Sequence, residues 1–177
     1  MAGTGKFGLD PESPAYFRAL VNRYRHRLRV GPPRKSAAEI PPDAIEAELH
    51  RVKKSHRGVG AMKQLTGLAA AAADQDFLDE IGELTELVHL DLRFPMRAPD
   101  LAPLRNLKKL HVLQIDSPSK VEDFRPILDL PALEVLMIEN AQHLFDLEWM
   151  RPLKDRLLVL GIEGTVNKDQ GFYCQLN

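Results

Sequence analysis

Cysteine is nearly absent from this chain, in which Cys174 is the single one among 177 residues. One thiol cannot close an internal disulfide or build a cysteine-based zinc cage, so we expect a reducing compartment, the cytoplasm. Long apolar runs are missing as well: no stretch reaches the roughly 18 residues of a transmembrane helix. The first ten residues lead into no apolar segment of a signal peptide. We therefore expect no membrane span and no secretion signal.

Catalytic and metal-binding motifs are also scarce. The six histidines are scattered, without the paired spacing that a zinc site requires. Serine is rare, and the nucleophile motif G-x-S-x-G does not occur. The segment GTGK near the N-terminus lacks the upstream glycine of a phosphate loop, and Phe7 follows its lysine where Ser or Thr is needed. The sequence predicts a protein that is not an enzyme, with no metal site and no cofactor.

Charge is present but unevenly distributed. Residues 1–60 carry 12 Lys and Arg against 6 Asp and Glu, whereas residues 61–177 carry 12 against 19, for a formal net charge of -1 overall. This asymmetry predicts two regions, a basic helical N-terminal region with a Pro-rich linker (1–60) and an acidic domain (61–177). The alternative that the two regions face each other stays open.

The most informative pattern is a repeat in the second region. The spacing L-x-x-L-x-L occurs four times, at intervals of 23, 23 and 24 residues, in LVHLDL, LHVLQI, LEVLMI and LLVLGI, which begin at Leu87, Leu110, Leu133 and Leu157. Alternation in L-x-L predicts a short strand, and the apolar spacing of three that follows suits a short helix or 3₁₀ turn. Self-similarity at a fixed period is typical of a solenoid.

Over roughly residues 77–165 the chain resembles the leucine-rich repeat family. The resemblance implies an α/β solenoid with short parallel strands on a concave face, short helices or 3₁₀ turns on a convex face, and an α-helical N-terminal cap or appendage. One departure concerns the asparagine that the family has three positions after the last strand leucine, where this sequence has Pro95, Pro118, Ala141 and Thr165. We therefore expect the turn backbone to find other hydrogen-bond partners.

The N-terminal segments predict helices. Residues 11–30 place Phe17, Leu20, Val21, Tyr24 and Leu28 on one apolar stripe surrounded by arginines. After the Pro-rich linker, residues 42–56 order their acids before their bases, as helices favour, and predict a second helix. We expect both helices to cover the open end of the solenoid. LTGLAAAAA (65–73) favours a helical or irregular cap over a degenerate first repeat, with Asp76 capping the helix that follows.

The family resemblance implies a non-enzymatic protein-interaction module that binds its partner on the concave face. Residues that alternate with the strand leucines point to that face, and they give the candidate binding site His89, Asp91, Arg93, Val112, Gln114, Asp116, Val135, Met137, Glu139, Val159 and Glu163. An apolar column beside an acidic one suits a basic, partly apolar protein partner. Two alternatives remain: the valines serve only as good strand formers, or the basic N-terminal helix covers the column.

A second functional hypothesis places binding in the basic N-terminal helix, with the repeats as scaffold. Its dense arginines could contact nucleic acid or another anionic surface, and they define the alternative basic site Arg18, Arg23, Arg25, Arg27 and Arg29. The arginines surround the helix instead of forming one face, and no nucleic-acid-binding motif accompanies them. A protein partner is therefore the preferred hypothesis.

Overall fold

A single β-sheet organises the protein, and its strand order follows the sequence. The structure is a computed structural model that describes residues 30–141, 144, 146–153, 155–163 and 172–174. Six described strands are parallel and the seventh is antiparallel to the sixth. Their bounds are Glu46–His50 (β1), Gly67–Ala71 (β2), His89–Arg93 (β3), Val112–Asp116 (β4), Val135–Glu139 (β5), Val159–Glu163 (β6) and Phe172–Cys174 (β7).

Short helices connect the parallel strands. The described residues contain the α-helix Gln75–Ile81 (α1) and the 3₁₀ helices Ala37–Glu39 (η1), Val59–Ala61 (η2), Ala102–Asn106 (η3), Arg125–Asp129 (η4) and Glu148–Leu153 (η5). Helix α1 begins at Asp74, whose carboxylate accepts a hydrogen bond from the Phe77 amide at 3.2 Å. Proline lies in the first turn of η3 and η4, where its fixed φ favours a helical start.

The hydrophobic core fills the space between the sheet and these helices. The second and fourth residues of each strand point into it, so that Leu90 and Leu92 of β3 align with Leu113 and Ile115 of β4. Each fully buried leucine contributes about 2 kcal/mol from the apolar surface it removes from water. Successive strands begin 21, 22, 23, 23 and 24 residues apart. The predicted α/β solenoid of parallel strands and 3₁₀ turns is confirmed, with the architecture of a leucine-rich-repeat-like protein.

Two segments predicted as helix or cap are strands, and those predictions were wrong. Residues 46–50 form β1 and pair in register with β2, because Ala47 and Leu49 alternate with polar residues and only a strand can bury both on one face. The alanine-rich segment is β2, the degenerate first repeat, because burial on both faces outweighs the helix propensity of alanine. Asp76 lies in the first turn of α1, which Asp74 caps.

The predicted Pro-rich linker is also part of the folded unit. Arg34 forms a parallel bridge with Leu49 at the outer edge of β1, and Ala37 and Ile40 are buried in the core. This segment covers the first open edge of the sheet, a role we had assigned to the two predicted N-terminal helices. The expected boundary at residue 60 falls in η2, between two paired strands. The predicted helix at 11–30 lies outside the described residues except for Val30.

Candidate functional site

The face of the sheet opposite the core holds the strand positions of every residue predicted for the concave-face site; we call it the outer face. The first, third and fifth residues of each strand form three rows across it. Row one is Glu46, Gly67, His89, Val112, Val135 and Val159; row two is Glu48, Ala69, Asp91, Gln114, Met137 and Gly161; row three is His50, Ala71, Arg93, Asp116, Glu139 and Glu163. Parallel pairing in register therefore aligns the predicted residues as the repeat suggested.

Burial differs sharply between the rows of the outer face. Three apolar members of the first two rows are buried, with exposed fractions of 7% for Val112, 0% for Val135 and 2% for Met137. His89 and Gln114 are buried as well. By contrast, Asp116 and Glu139 of row three are half-buried. Solvent thus reaches the outer face mainly along row three, where the parallel strands end.

A cleft of about 460 Å³ opens at this end of the sheet. We call it the acidic cleft, because four carboxylates and one guanidinium line it. Its ionisable lining consists of Glu48, His50, His89, Asp91, Arg93, Asp116 and Glu139, and its other lining residues are Ala71, Phe94, Gln114 and Ile115. The exposed Phe94 ring, with 65% of its surface open, adds an apolar patch to the lining.

Arg93 is held by two carboxylates of the acidic cleft. Its Nη1 atom lies 2.7 Å from Oε1 of Glu48, and its Nε atom donates to Oδ2 of Asp91 at 2.8 Å. The same Glu48 oxygen lies 2.8 Å from Nε2 of His50. Partial burial acts to lower the pKa of Arg93, but the hydrogen bonds and charges of Asp91 and Glu48 outweigh it and raise this pKa above its ordinary value. Arg93 is therefore charged and fixed in direction.

Asp116 is oriented by its neighbours along the turn. Its Oδ1 atom accepts hydrogen bonds from Ser117 Oγ at 2.8 Å and from Asn140 Nδ2 at 2.9 Å. Ser117 and Asn140 each follow a strand directly and both have left-handed backbones, with φ of 56° and 55°. Asn140, one position before the family's asparagine column, thus joins two repeats through its side chain. The Ser117 amide donates to the Glu139 carbonyl and continues the sheet pairing into the turn.

Two important residues of the acidic cleft, Glu48 and His50, were missed by the sequence analysis. Both lie on β1, which we had predicted as helix. The signal that could have found them is the alternation in Glu46–His50, where every second residue is polar and the intervening Ala47 and Leu49 are buried. A strand there extends the same three rows by one member each.

The remaining predictions concern the alternative basic site, the last strand positions, metal binding and membrane spans. The alternative basic site, with its five arginines, lies outside the described residues, and for Val159 and Glu163 only the strand position is described. Among the residues that the structure describes, no group of three or more His, Cys, Asp or Glu side chains is arranged to hold a metal ion. Over that same part of the chain, no helix has the length and apolar character required to cross a membrane.

The fold defines a repeat protein, and an acidic, open cleft lies at one end of its sheet. Its repeats are short parallel strands joined by short helices and 3₁₀ turns, and residues of the five successive strands β1 to β5 line the cleft. Comparison of the sequence with protein-family models and with curated proteins finds no match. The residues of the cleft are therefore the features of this protein that indicate a function.

Proposed function

We propose that this protein is a non-enzymatic interaction module that binds a basic, partly apolar segment of a partner protein in the acidic cleft. The observation that carries the proposal is the excess of carboxylates there, four against the single guanidinium of Arg93. Because Arg93 is already paired with Glu48 and Asp91, the remaining field of the cleft is negative and attracts cations.

The shape of the site supports a macromolecular partner. The cleft lies along the ends of the parallel strands, and its polar groups come from several repeats, so an extended or helical segment can contact many of them together. Phe94 provides an exposed aromatic surface next to the carboxylates, and aromatic residues are enriched where proteins bind each other. A lysine or arginine of the partner would lie near Asp116 and Glu139, with its apolar neighbours on Phe94.

Charge reversal tests this proposal. We compare the chain with its double variant Asp116→Lys/Glu139→Lys and with the matched control Glu122→Lys/Asp155→Lys, which alters two exposed acids away from the cleft. Each is used to capture proteins from lysate of the source cell, with and without nuclease treatment. A retained protein is then purified and its affinity measured by calorimetry at two salt concentrations. We expect the cleft variant to bind it at least about tenfold more weakly, equivalent to about 1.4 kcal/mol, and the control to bind it normally.

Two results would argue against the acidic cleft. Equal affinity of the cleft variant and the wild type would place the contact elsewhere on the protein. Retention that disappears on nuclease treatment would favour the alternative hypothesis, in which the arginines of the N-terminal segment bind nucleic acid. Circular dichroism of each variant, compared with the wild type, checks that the sheet is intact.

A further inference from the structure

The outer face is buried although every described helix lies on the other side of the sheet. Helix α1 and all five 3₁₀ helices contribute side chains to the core cluster, which is opposite the outer face. Yet Val135 and Met137, which point away from that core and do not belong to its cluster, are 0% and 2% exposed. An apolar sheet face is buried in this way when a further layer packs against it.

The N-terminal segment begins its path at the right place to form that layer. Arg34 pairs with Leu49 at the free edge of β1, so the chain that precedes Val30 enters at this edge of the sheet. A helix over residues 14–29 would be about 24 Å long, at about 1.5 Å per residue. The distance from β1 to β6 is also about 24 Å, at about 4.8 Å between neighbouring strands. One such helix can therefore cross the whole parallel sheet.

The chemistry of this segment matches the outer face. Its apolar stripe of Phe17, Leu20, Val21, Tyr24 and Leu28 has the length and character to cover the buried row members Val112, Val135 and Met137. The arginines beside the stripe carry the charge opposite to that of the carboxylates on rows two and three. Those arginines are Arg18, Arg23, Arg25, Arg27 and Arg29.

We propose that residues 14–29 of this chain lie across the buried rows of its own outer face, beside the acidic cleft, in the absence of a partner. The segment is itself basic and partly apolar, like the partner in the proposed function. The coverage of the outer face does not depend on the proposed function, and only its regulatory consequence does. A partner then binds by displacing the segment, and its apparent affinity is reduced by the fraction of molecules in which the face is covered.

Methionine oxidation tests the coverage without any partner. Met137 lies on the outer face and Met96 in the core, and both are buried, so peroxide should oxidise both slowly in the full chain. The variant Leu20→Asp/Tyr24→Asp puts two charges into the apolar stripe, and Asn22→Asp is the matched control outside the stripe. By mass spectrometry we expect Met137 oxidation to accelerate about tenfold or more in the stripe variant, with Met96 unchanged, because only the covering layer is released.

Several outcomes of the oxidation experiment would contradict coverage by residues 14–29. Unchanged Met137 oxidation in the stripe variant, or fast oxidation in the wild type, overturns the inference. If Met96 also becomes reactive, the fold is lost, and the milder variant Arg23→Glu/Arg27→Glu decides by the same Met137-to-Met96 ratio. Protection of Met137 that disappears on dilution would mean that a second copy supplies the layer, which also overturns it.

The proposed function can fail independently of this inference. If residues 14–29 cover the face and a partner exists, the stripe variant binds that partner more tightly than the wild type does. If Met137 is released but Asp116→Lys/Glu139→Lys leaves partner affinity unchanged, the coverage stands and the cleft is not the partner site. If Met137 does not respond while the cleft variant loses the partner, the proposed function stands alone.

Discussion

The guanidinium of Arg93 on β3 and the carboxylate of Glu48 on β1 meet at 2.7 Å across the strand that separates them. Strand β2 places Ala71 between His50 and Arg93 and Ala69 between Glu48 and Asp91. Because alanine side chains barely rise above the sheet, the longer side chains of the two flanking strands can touch over them. The least typical repeat of the solenoid is thus the one that allows this contact.

A double-mutant cycle should show that this ion pair contributes to stability. We expect Glu48→Gln and Arg93→Gln to be coupled by about 0.5–1.5 kcal/mol in urea unfolding, because the Glu48 side chain is only 11% exposed and Arg93 is oriented by a second carboxylate. The exposed pair Glu86 and Lys109 provides the control, with an expected coupling below about 0.5 kcal/mol. If the Glu48–Arg93 and Glu86–Lys109 cycles give equal coupling energies, the contact across the small alanines of β2 adds nothing beyond an ordinary surface ion pair.

Gly82 should resist replacement by alanine for a steric reason. Its φ of -59° is ordinary for any residue, so backbone freedom is not what requires glycine here. A Cβ atom would lie 2.8 Å from both Cβ and the carbonyl oxygen of Pro103, where α1 packs against η3. We expect Gly82→Ala to lower the free energy of unfolding by about 1–3 kcal/mol.

The control for this substitution is Gly31→Ala, because nothing lies within 4 Å of a Cβ at that position. Thermal unfolding of the two variants, followed by circular dichroism, makes the comparison. A Gly82→Ala protein as stable as Gly31→Ala would show that α1 and η3 can separate without cost.

Replacing Ala72 by glycine should stabilise the protein. Ala72 follows β2 directly with φ of 59°, a left-handed conformation that costs a residue with a Cβ atom about 1–2 kcal/mol. We expect Ala72→Gly to raise the free energy of unfolding by about 0.5–1 kcal/mol. The exposed Ala38 in η1 gives the opposite control, since Ala38→Gly should lower stability by about 0.5–1 kcal/mol. Chemical denaturation of both variants measures the two changes in the free energy of unfolding. A loss of stability in Ala72→Gly, or a gain in Ala38→Gly, would contradict the prediction.

Glu80 on helix α1 forms hydrogen bonds with the segment that connects β1 and β2. Its Oε2 atom accepts hydrogen bonds from the amides of Gly58 at 2.8 Å and Gly60 at 3.1 Å. We expect Glu80→Ala to lower stability by about 1–3 kcal/mol and Glu80→Gln by less, because glutamine keeps one oxygen acceptor. Calorimetric melting temperatures should rank wild type, Gln and Ala in that order.

The neighbouring Glu83→Ala is the control for Glu80. Glu83 is exposed and its carboxylate lies 3.6 Å from Lys63 Nζ, a surface contact worth at most about 0.5 kcal/mol. If Glu83→Ala and Glu80→Ala destabilise the protein equally, the two amide contacts carry little energy.

The four leucine-rich strands were predictable because their pattern repeats. Each copy of L-x-x-L-x-L supports the others, and the interval between Leu90 and Leu113 already implies stacked strands with a common core face. The three rows on the outer face follow from the same alternation. Local sequence and global fold agree in these repeats, so a single sequence is enough to place them.

The first two strands were not predictable from local pattern alone. Glu46–His50 and Gly67–Ala71 are five residues long and rich in alanine and glutamate, which favour helix when no neighbour is present. Their strand conformation comes from burial and from pairing, of β1 with β2 and of β2 with β3, which are tertiary effects. Because Glu48 and His50 of the acidic cleft come from β1, the charge balance of the cleft does not follow from the four leucine-rich repeats alone.

The contact between Glu48 and Arg93 also bears on how the protein unfolds. In an ideal solenoid each repeat interacts only with its immediate neighbours, so an end repeat can detach while the rest persists. The Glu48–Arg93 pair connects the first strand to the third, and Arg51 after β1 bonds the carbonyl of Ala72 after β2 and the carboxylate of Asp74. We expect β1, β2 and β3 to exchange their amide hydrogens as one cooperative unit. This end of the solenoid then unfolds in a single step and not one repeat at a time.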